Sequence, residues 1–409
     1  MKRRCKQTVM ILAALALVSS LFCCPLSASA KISCEYYSED MLTDIPTMGA
    51  ASSTGTTLDI KAKSVVLMEP HTGKVLYAKQ ENEKLAPASI TKIMSLLLVM
   101  EAIENEKLEL DSEVSTSEHA ASMGGSQIWL EVGETMTVDE LLSASVIASA
   151  NDATVALAEA VAGSEEAFVN QMNARAAELG MKNTTFQNAC GLDADGHMTT
   201  GLDVAIMASA LITHALIKKY STDWMDALRG GQSELVNTNK LVRYYKGATG
   251  LKTGTTSKAG CCVAATAERD GMELVAVVMG GENSNERFAG AKKLLDHGFA
   301  NWSFTTLSAD LSEIDPIPVK RGMAPKITVE TTGTIDLLME KGKADEITQI
   351  VTLPEQLEAP VLTGDAVGTV RFMLGETEVG EVPLRSANTV ERVTFFNAFT
   401  MLLSAALKP

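Results

Sequence analysis

Along this chain the spacing of apolar residues changes period several times, and each change marks a region. Residues 64–68 and 74–77 are strand-like and flank Glu69-Pro70-His71-Thr72-Gly73, which predicts a hairpin. After Pro87, residues 90–103 are apolar nearly all round. A helix without a polar face belongs in a core, and this one is too short for a membrane span. Thr137-Val138-Asp139-Glu140 is a capping box that opens a helix through Leu141 and Leu142. Helical periods continue over residues 152–161 and 164–179, the second closed by Gly180. From Cys261 the texture changes. Residues 262–267 and 274–279 read as strands joined through Arg269-Asp270-Gly271, and a helix follows over about 287–299. Strands therefore come from both ends of the region with helices between. That order predicts an α/β (α+β) domain over 58–305, one sheet carrying an inserted helical lobe.

Beyond about 310 the pattern is all-β. Residues 326–330, 347–353, 367–372 and 377–382 are short β-branched runs separated by Gly, Pro and Asp turns, which predicts a small β-sandwich over 310–390. Residues 391–409 are different again. Thr394, Asn397, Thr400, Ser404 and Lys408 share one helical stripe, and Phe395, Phe396, Phe399, Leu402, Leu403 and Leu407 fill the other. Two readings stand for this amphipathic helix: docking on its own β domain, or lying at a membrane surface. Arg392 and Lys408 supply only a weak cationic part to the second.

Before residue 58 the chain reads as leader and lead-in. Lys2, Arg3, Arg4 and Lys6 precede an apolar run over 9–22, and Ala28-Ser29-Ala30 is a small-x-small cleavage site. Residues 1–30 thus have the pattern of a signal peptide, which implies an exported protein. Residues 31–57, rich in Ser, Thr, Gly and acids, read as a flexible lead-in.

Composition narrows the classes that remain. A chain of 409 residues with 46% hydrophobic and 21% charged residues and 11 prolines folds, and it is long enough for two domains. A net charge of −16, or −20 once the four leader cations are removed, argues against nucleic acid as a partner. Cys34, Cys190, Cys261 and Cys262 remain after the leader and show no metal-ligand spacing. Adjacent Cys261 and Cys262 lie in an apolar strand-like run and read as packed small residues. His71, His119, His197, His214 and His297 are scattered. Neither a metal, a cofactor nor a catalytic imidazole is implied.

Three short motifs carry chemistry. Ser89-Ile90-Thr91-Lys92 places a hydroxyl and an amine one helical turn apart, on one face. A serine needs a base to become a nucleophile, and a lysine in a low-dielectric site can serve. Ser-x-x-Lys alone is usually a surface pair, but Lys92 sits in an apolar segment where an unpaired charge is costly. Ser149-Ala150-Asn151 falls between two helical stretches, where Asn151 or Asp152 could simply cap the next helix. Lys252-Thr253-Gly254 follows Gly250 and could be an ordinary edge-strand lysine beside a glycine. Together, about sixty and then a hundred residues apart, they form a constellation that chance rarely gives.

At these residues the chain resembles the low-molecular-weight penicillin-binding proteins, the D-alanyl-D-alanine carboxypeptidases. The segments that carry the resemblance are residues 87–94, Ser149-Ala150-Asn151-Asp152-Ala153, Gly191-Leu192-Asp193-Ala194-Asp195-Gly196 and residues 250–256. It covers about 58–305 and extends in layout to the β domain and tail. It implies a serine β-lactamase/D,D-peptidase-like catalytic fold acting on peptidoglycan stem peptides and inhibited by β-lactams. It further implies Ser89 as nucleophile, Lys92 as its base and Ser149 as a proton relay to the departing D-alanine. Asn151 would orient the peptide, Lys252 and Thr253 would bind its terminal carboxylate, and the N–H groups of Ser89 and Thr255 would form the oxyanion hole. Arg287 matches a family arginine that helps anchor the carboxylate, or is a surface arginine at a helix start. Family members often have Ser-Gly-Asn and Lys-Thr-Gly-His where this chain has Ala150 and Thr255, which leaves substrate preference and rate open. Cys190 stands where polar residues are usual and reads as packing. The rival expectations are a β-lactamase or a D,D-endopeptidase on the same scaffold, and a non-catalytic wall-binding or β-lactam-sensing module. The implied place is the outer face of the cytoplasmic membrane.

Overall fold

The computed structural model describes residues 57–406. The expected signal peptide and almost all of the lead-in lie outside the described residues. Strands β1 (Ser64–Glu69) and β2 (Lys74–Lys79) form the expected hairpin. A 3₁₀ turn, Ala88–Thr91, leads into helix α1 (Lys92–Glu104). The helical lobe continues with α2 (Asn151–Ala162), α3 (Glu165–Glu178) and α4 (Gly201–Ile212). The chain then returns through β3 (Ala248–Thr256), β4 (Gly260–Arg269) and β5 (Met272–Gly281), and α5 (Ser284–Asn301) closes the domain.

The five strands make one antiparallel sheet in the order β2-β1-β5-β4-β3, fed from both ends of the sequence. Its centre reads as unbroken apolar runs because both faces are covered, yet alternate residues serve different cores. Val66, Met68, Ala264, Val275 and Val277 face the helical lobe, packed with α1, α2 and α4. Val65, Leu67, Val263, Ala276 and Val278 face α5, where Ala291, Leu294 and Leu295 meet them. Helix α1 is buried on nearly every face, in line with its sequence. The capping box at Thr137 is formed in both directions: Glu140 N–H donates to Thr137 Oγ1 at 3.2 Å, and Thr137 N–H donates to Glu140 Oε2 at 3.0 Å.

Strand β6 (Trp302–Ser308) runs across position 305 and pairs with β7 (Thr334–Glu340), a ladder for which the sequence pattern had given no signal. Strands β8 (Ile347–Thr352), β9 (Ala366–Leu374) and β10 (Thr377–Ser386) form the larger part of the β domain, around Ile317, Val370, Phe372 and Leu384. The single run expected at 326–330 is two strands in different sheets, Lys326–Ile327 and Val329–Glu330. Between them Thr328 gives both its N–H and its hydroxyl to Asn388 Oδ1, at 3.1 and 2.6 Å, which takes it out of the ladder. Helix α6 (Phe395–Ala406) leaves Phe395, Phe396 and Phe399 89, 72 and 53% exposed. These three rings do not pack on the β domain. No helix among the described residues is long and apolar enough to cross a membrane.

Two glycines bring the elements of the cleft together. Gly191 has φ +88°, and a Cβ there would overlap the Ala88 carbonyl oxygen. A Cβ on Gly254 would lie 3.0 Å from the backbone nitrogens of both Ser89 and Ile90. Gly180 also has a positive φ, +73°, but open space around it. Gly180→Ala should therefore cost only the left-handed penalty of about 1–2 kcal/mol. Gly191→Ala adds a backbone overlap and should cost more than about 3 kcal/mol. Comparing the two Tm values checks this, and equal shifts would refute the close-approach account.

Candidate active site

Ser89 sits on the 3₁₀ turn and Lys92 opens α1, so one turn of helix brings Lys92 Nζ to 3.2 Å from Ser89 Oγ. The ammonium is fully buried and donates also to Asn151 Oδ1 at 2.6 Å and to the carbonyl of Cys190 at 2.8 Å. All three acceptors are neutral. Burial, only partly offset by Asp152 and Cys190, pushes Lys92 down to about 8.

Ser149 and Asn151 come from the break before α2. A turn of π-helix, Ala144–Ala148, ends at Ser149, whose φ of 63° lies in the left-handed region. Such turns and such strain collect at functional sites. Ser149 Oγ is buried and has no hydrogen-bond partner among the described residues. The capping reading of Asn151 and Asp152 does not hold, since the α2 N-cap is Ala150 without a side-chain cap. Asn151 instead links Lys92 to the 124–126 segment, giving its Nδ2–H to Gly124 O and its N–H to Ser126 O. Asp152 accepts from the N–H groups of Ile128 and Leu130, which fastens the same loop.

The facing wall is β3. Lys252 is buried, and among the described residues its Nζ reaches only the carbonyl of Thr253, at 3.4 Å. Burial, with Lys92 and Arg287 nearby, pushes Lys252 well below its ordinary value. Thr253 donates its hydroxyl to Thr238 Oγ1 at 2.8 Å. Arg287 is not a surface arginine. It is buried, and its Nη1 donates to Gly254 O, Thr255 Oγ1 and Cys262 O at 3.1, 2.9 and 3.3 Å. Thr255 thus offers more than a backbone N–H, since its hydroxyl joins Arg287 to Gly254 O. Across the mouth, Thr256 Oγ1 donates to Asp193 Oδ1 at 2.8 Å.

The structure therefore joins Ser89, Lys92 and Asn151 in direct contact, with Ser149 in the same turn as Asn151. Lys252, Thr253, Thr255 and Arg287 form a second group, brought against the first where Gly254 meets the Ser89 backbone. Sequence reasoning missed Thr238, the Cys190 carbonyl and His197. Cys190 is buried packing as expected, but its carbonyl also serves Lys92. Cys262 is likewise buried and Cys261 half-buried, both as free thiols. No cluster of metal-ligating side chains occurs among the described residues.

The family model described as D-alanyl-D-alanine carboxypeptidase matches residues 50–283, more than half of the chain. The chain belongs to the D-alanyl-D-alanine carboxypeptidase family. It is accordingly a serine hydrolase with D-Ala-D-Ala carboxypeptidase activity. A second model, for the C-terminal domain of penicillin-binding protein 5, matches residues 305–392. The carboxypeptidase DacF of Bacillus subtilis is 42% identical over 339 residues, covering 82% of this chain and 87% of that protein. DacC of Escherichia coli is 34% identical over 360 residues, covering 86% and 90%. Among solved structures, penicillin-binding protein 5 of Haemophilus influenzae matches with TM-score 0.66 at 29% identity, over 82% of this chain and 99% of that one. Penicillin-binding protein D2 of Listeria monocytogenes, solved in an ampicillin-bound form, matches with TM-score 0.55 at 31% identity, over 60% and 100%.

In this carboxypeptidase the buried imidazole is structural. His197 Nδ1 accepts from Gln187 N–H at 3.1 Å, so Nε2 carries the proton and donates to Thr91 Oγ1 at 2.8 Å. Burial pushes His197 down to about 4. A group depressed on folding stabilises above its unfolded value, near 6.5, and loses that contribution as pH falls towards 4. Wild type should lose roughly 3 kcal/mol more than His197→Gln between pH 7 and pH 4 in denaturant melts. Equal losses would rule out a neutral buried His197.

Proposed function

We propose that Ser89 is the nucleophile of this carboxypeptidase and Lys92 its general base. The observation that carries the reading is the buried amine of Lys92, near 8 and hydrogen-bonded to Ser89 Oγ with only neutral partners around it. At neutral to mildly alkaline pH a substantial share of such a lysine is unprotonated, so its lone pair can take the serine proton.

Ser89 Oγ attacks the carbonyl between the two terminal D-alanines and Lys92 accepts the proton. The oxyanion is held by the N–H groups of Ser89 and Thr255, each worth about 3 kcal/mol where such donors have been removed elsewhere. As the intermediate collapses, the proton returns through Ser149 Oγ to the nitrogen of the departing D-alanine, leaving an acyl-enzyme on Ser89. Water then hydrolyses that ester. The unpartnered hydroxyl of Ser149, in a strained turn, supports its role as the relay.

Lys252, with Thr253, takes the terminal carboxylate. Its site is buried, with Lys92 and Arg287 nearby, so an arriving carboxylate favours the charged form of Lys252. Asn151 orients Lys92 and the loop beside the peptide. Arg287 supports the carboxylate site through Thr255 and the strand that carries Lys252. Peptidoglycan stem peptides ending in D-Ala-D-Ala are the substrates, and β-lactams are inhibitors that acylate the same serine.

We further infer an exported enzyme attached to the outer face of the cytoplasmic membrane. The leader pattern of residues 1–30 and the exposed rings of Phe395, Phe396 and Phe399 support this.

Ser89→Ala should abolish both D-alanine release from a pentapeptide and labelling by penicillin. Fast penicillin turnover without D-alanine release would instead point to a β-lactamase. The acylation rate should rise with pH through about 8, as neutral Lys92 accumulates, and a flat profile from pH 6 to 9 would remove Lys92 as base. Removing residues 394–409, after the last backbone pairing at Val393, should abolish co-sedimentation with lipid vesicles and leave peptidase activity unchanged. Unchanged sedimentation would refute the membrane role of the tail.

A further inference from the structure

The three acceptors of Lys92 are not equally secured. Ser89 Oγ is the reacting atom, and Asn151 is fixed by α2 and the 124–126 segment. Cys190 O belongs to a stretch without regular structure, and side chains hold it in place. Glu165 Oε1 accepts the N–H of Ala189 at 2.9 Å, and Ser95 Oγ donates to the Ala189 carbonyl at 2.5 Å. On the far side, Asn188 Oδ1 accepts from the N–H groups of Gly191 and Leu192, at 2.7 and 3.0 Å. The residue whose carbonyl serves the lysine is thus clamped from both neighbours.

Glu165 is the member of this clamp that lies outside the cleft. It opens α3, and its other oxygen, Oε2, is 2.6 Å from Nε2 of half-exposed His119. Both line a solvent-open groove of about 610 Å³ with Glu159, Glu166 and Gln187. A carboxylate facing such a groove could turn outward into water; the contact with His119 on one oxygen keeps the other aimed at Ala189. A carboxylate in the first turn of a helix is ordinary for helix stability, but that role needs only the dipole and not a bond to a distant loop. Here the bond reaches the peptide unit two before the one whose carbonyl positions the base.

We propose that Glu165 is a positioning residue of the reaction: through the Ala189 N–H it fixes the Cys190 carbonyl, and so sets where Lys92 Nζ stands against Ser89 Oγ. The proposal rests on the reading of Lys92 as the base. Displacements of about 1 Å at a reacting centre cost on the order of a hundredfold in rate, so a loosened carbonyl is costly without any change in substrate contacts.

The test is the acylation rate by labelled penicillin from pH 6 to 10, with kcat and KM for a pentapeptide, on the full chain. Glu165→Ala should slow acylation about tenfold, move the pH midpoint, and leave KM within about twofold. Glu165→Gln keeps an oxygen for the Ala189 N–H and can present its amide to His119 Nε2, so it should restore both rate and midpoint. A Glu165→Ala enzyme that loses only Tm, with wild-type rate and midpoint, would overturn the proposal. So would a Glu165→Gln enzyme as impaired as the alanine variant, since charge rather than the hydrogen bond would then be responsible. Should Glu165→Ala fail to fold, His119→Ala reads the same relay, and acylation at the wild-type rate would count against it. Lys92→Ala is the control: if it still acylates normally, the reading of Lys92 fails, which is a different result from failure at Glu165.

Discussion

The cleft is organised around an ammonium that has been taken out of water without a carboxylate to receive it. Lys92 is enclosed by α1's own apolar neighbours and meets only a hydroxyl, an amide oxygen and a backbone carbonyl. A direct carboxylate partner would hold the amine charged and useless as a base, whereas no partner at all would make its burial too costly. Neutral acceptors give the intermediate case. Much of the surrounding structure serves to bring those three acceptors to one point: the 3₁₀ turn delivers Ser89, the break before α2 delivers Asn151, and the Gly191 turn lets the Cys190 segment lie against Ala88.

The second wall obeys the same logic with a different outcome. Lys252 is also buried, but it lacks even a well-made neutral partner, with a single long contact to Thr253 O. Arg287 stands behind it and gives Nη1 to two carbonyls and the Thr255 hydroxyl, while its buried Nε has no partner among the described residues. The strand that carries Lys252 is an edge strand, fixed by β4 on one side, and the Thr249 and Gly250 carbonyls accept from Ser221 and Asn239. Gly254 allows this edge to approach the Ser89 backbone, which joins the two walls into one site.

The motif residues and their neighbourhood were legible in the sequence because they are side chains with local signatures. The i, i+3 spacing of Ser89 and Lys92, the all-round apolar α1 and the Thr137 capping box each follow from rules of helix geometry. The order of strands and helices also disclosed a sheet fed from both ends. What stayed hidden is made of backbone or of long-range contact. The Cys190 carbonyl has no signature, since any residue can supply one. Thr238 is an ordinary threonine until Thr253 lies beside it, and for Arg287 the local pattern offered only a surface helix start, so its place in the site came from the family resemblance alone. The split at Thr328 depends on Asn388, sixty residues further on, and no local pattern announces such a bond.

The bare Lys252 carries a practical corollary. A buried amine pushed well below its ordinary value gains from any anion that reaches it, whichever anion that is. On the reading that Lys252 receives the peptide terminus, acetate, phosphate or citrate in an assay buffer competes there and raises the apparent KM linearly with its concentration. On the same reading, kinetic constants for this enzyme compare best at matched buffer anion. The same indifference makes a small carboxylate a reasonable starting fragment for inhibitors that hold this wall and leave the serine unmodified.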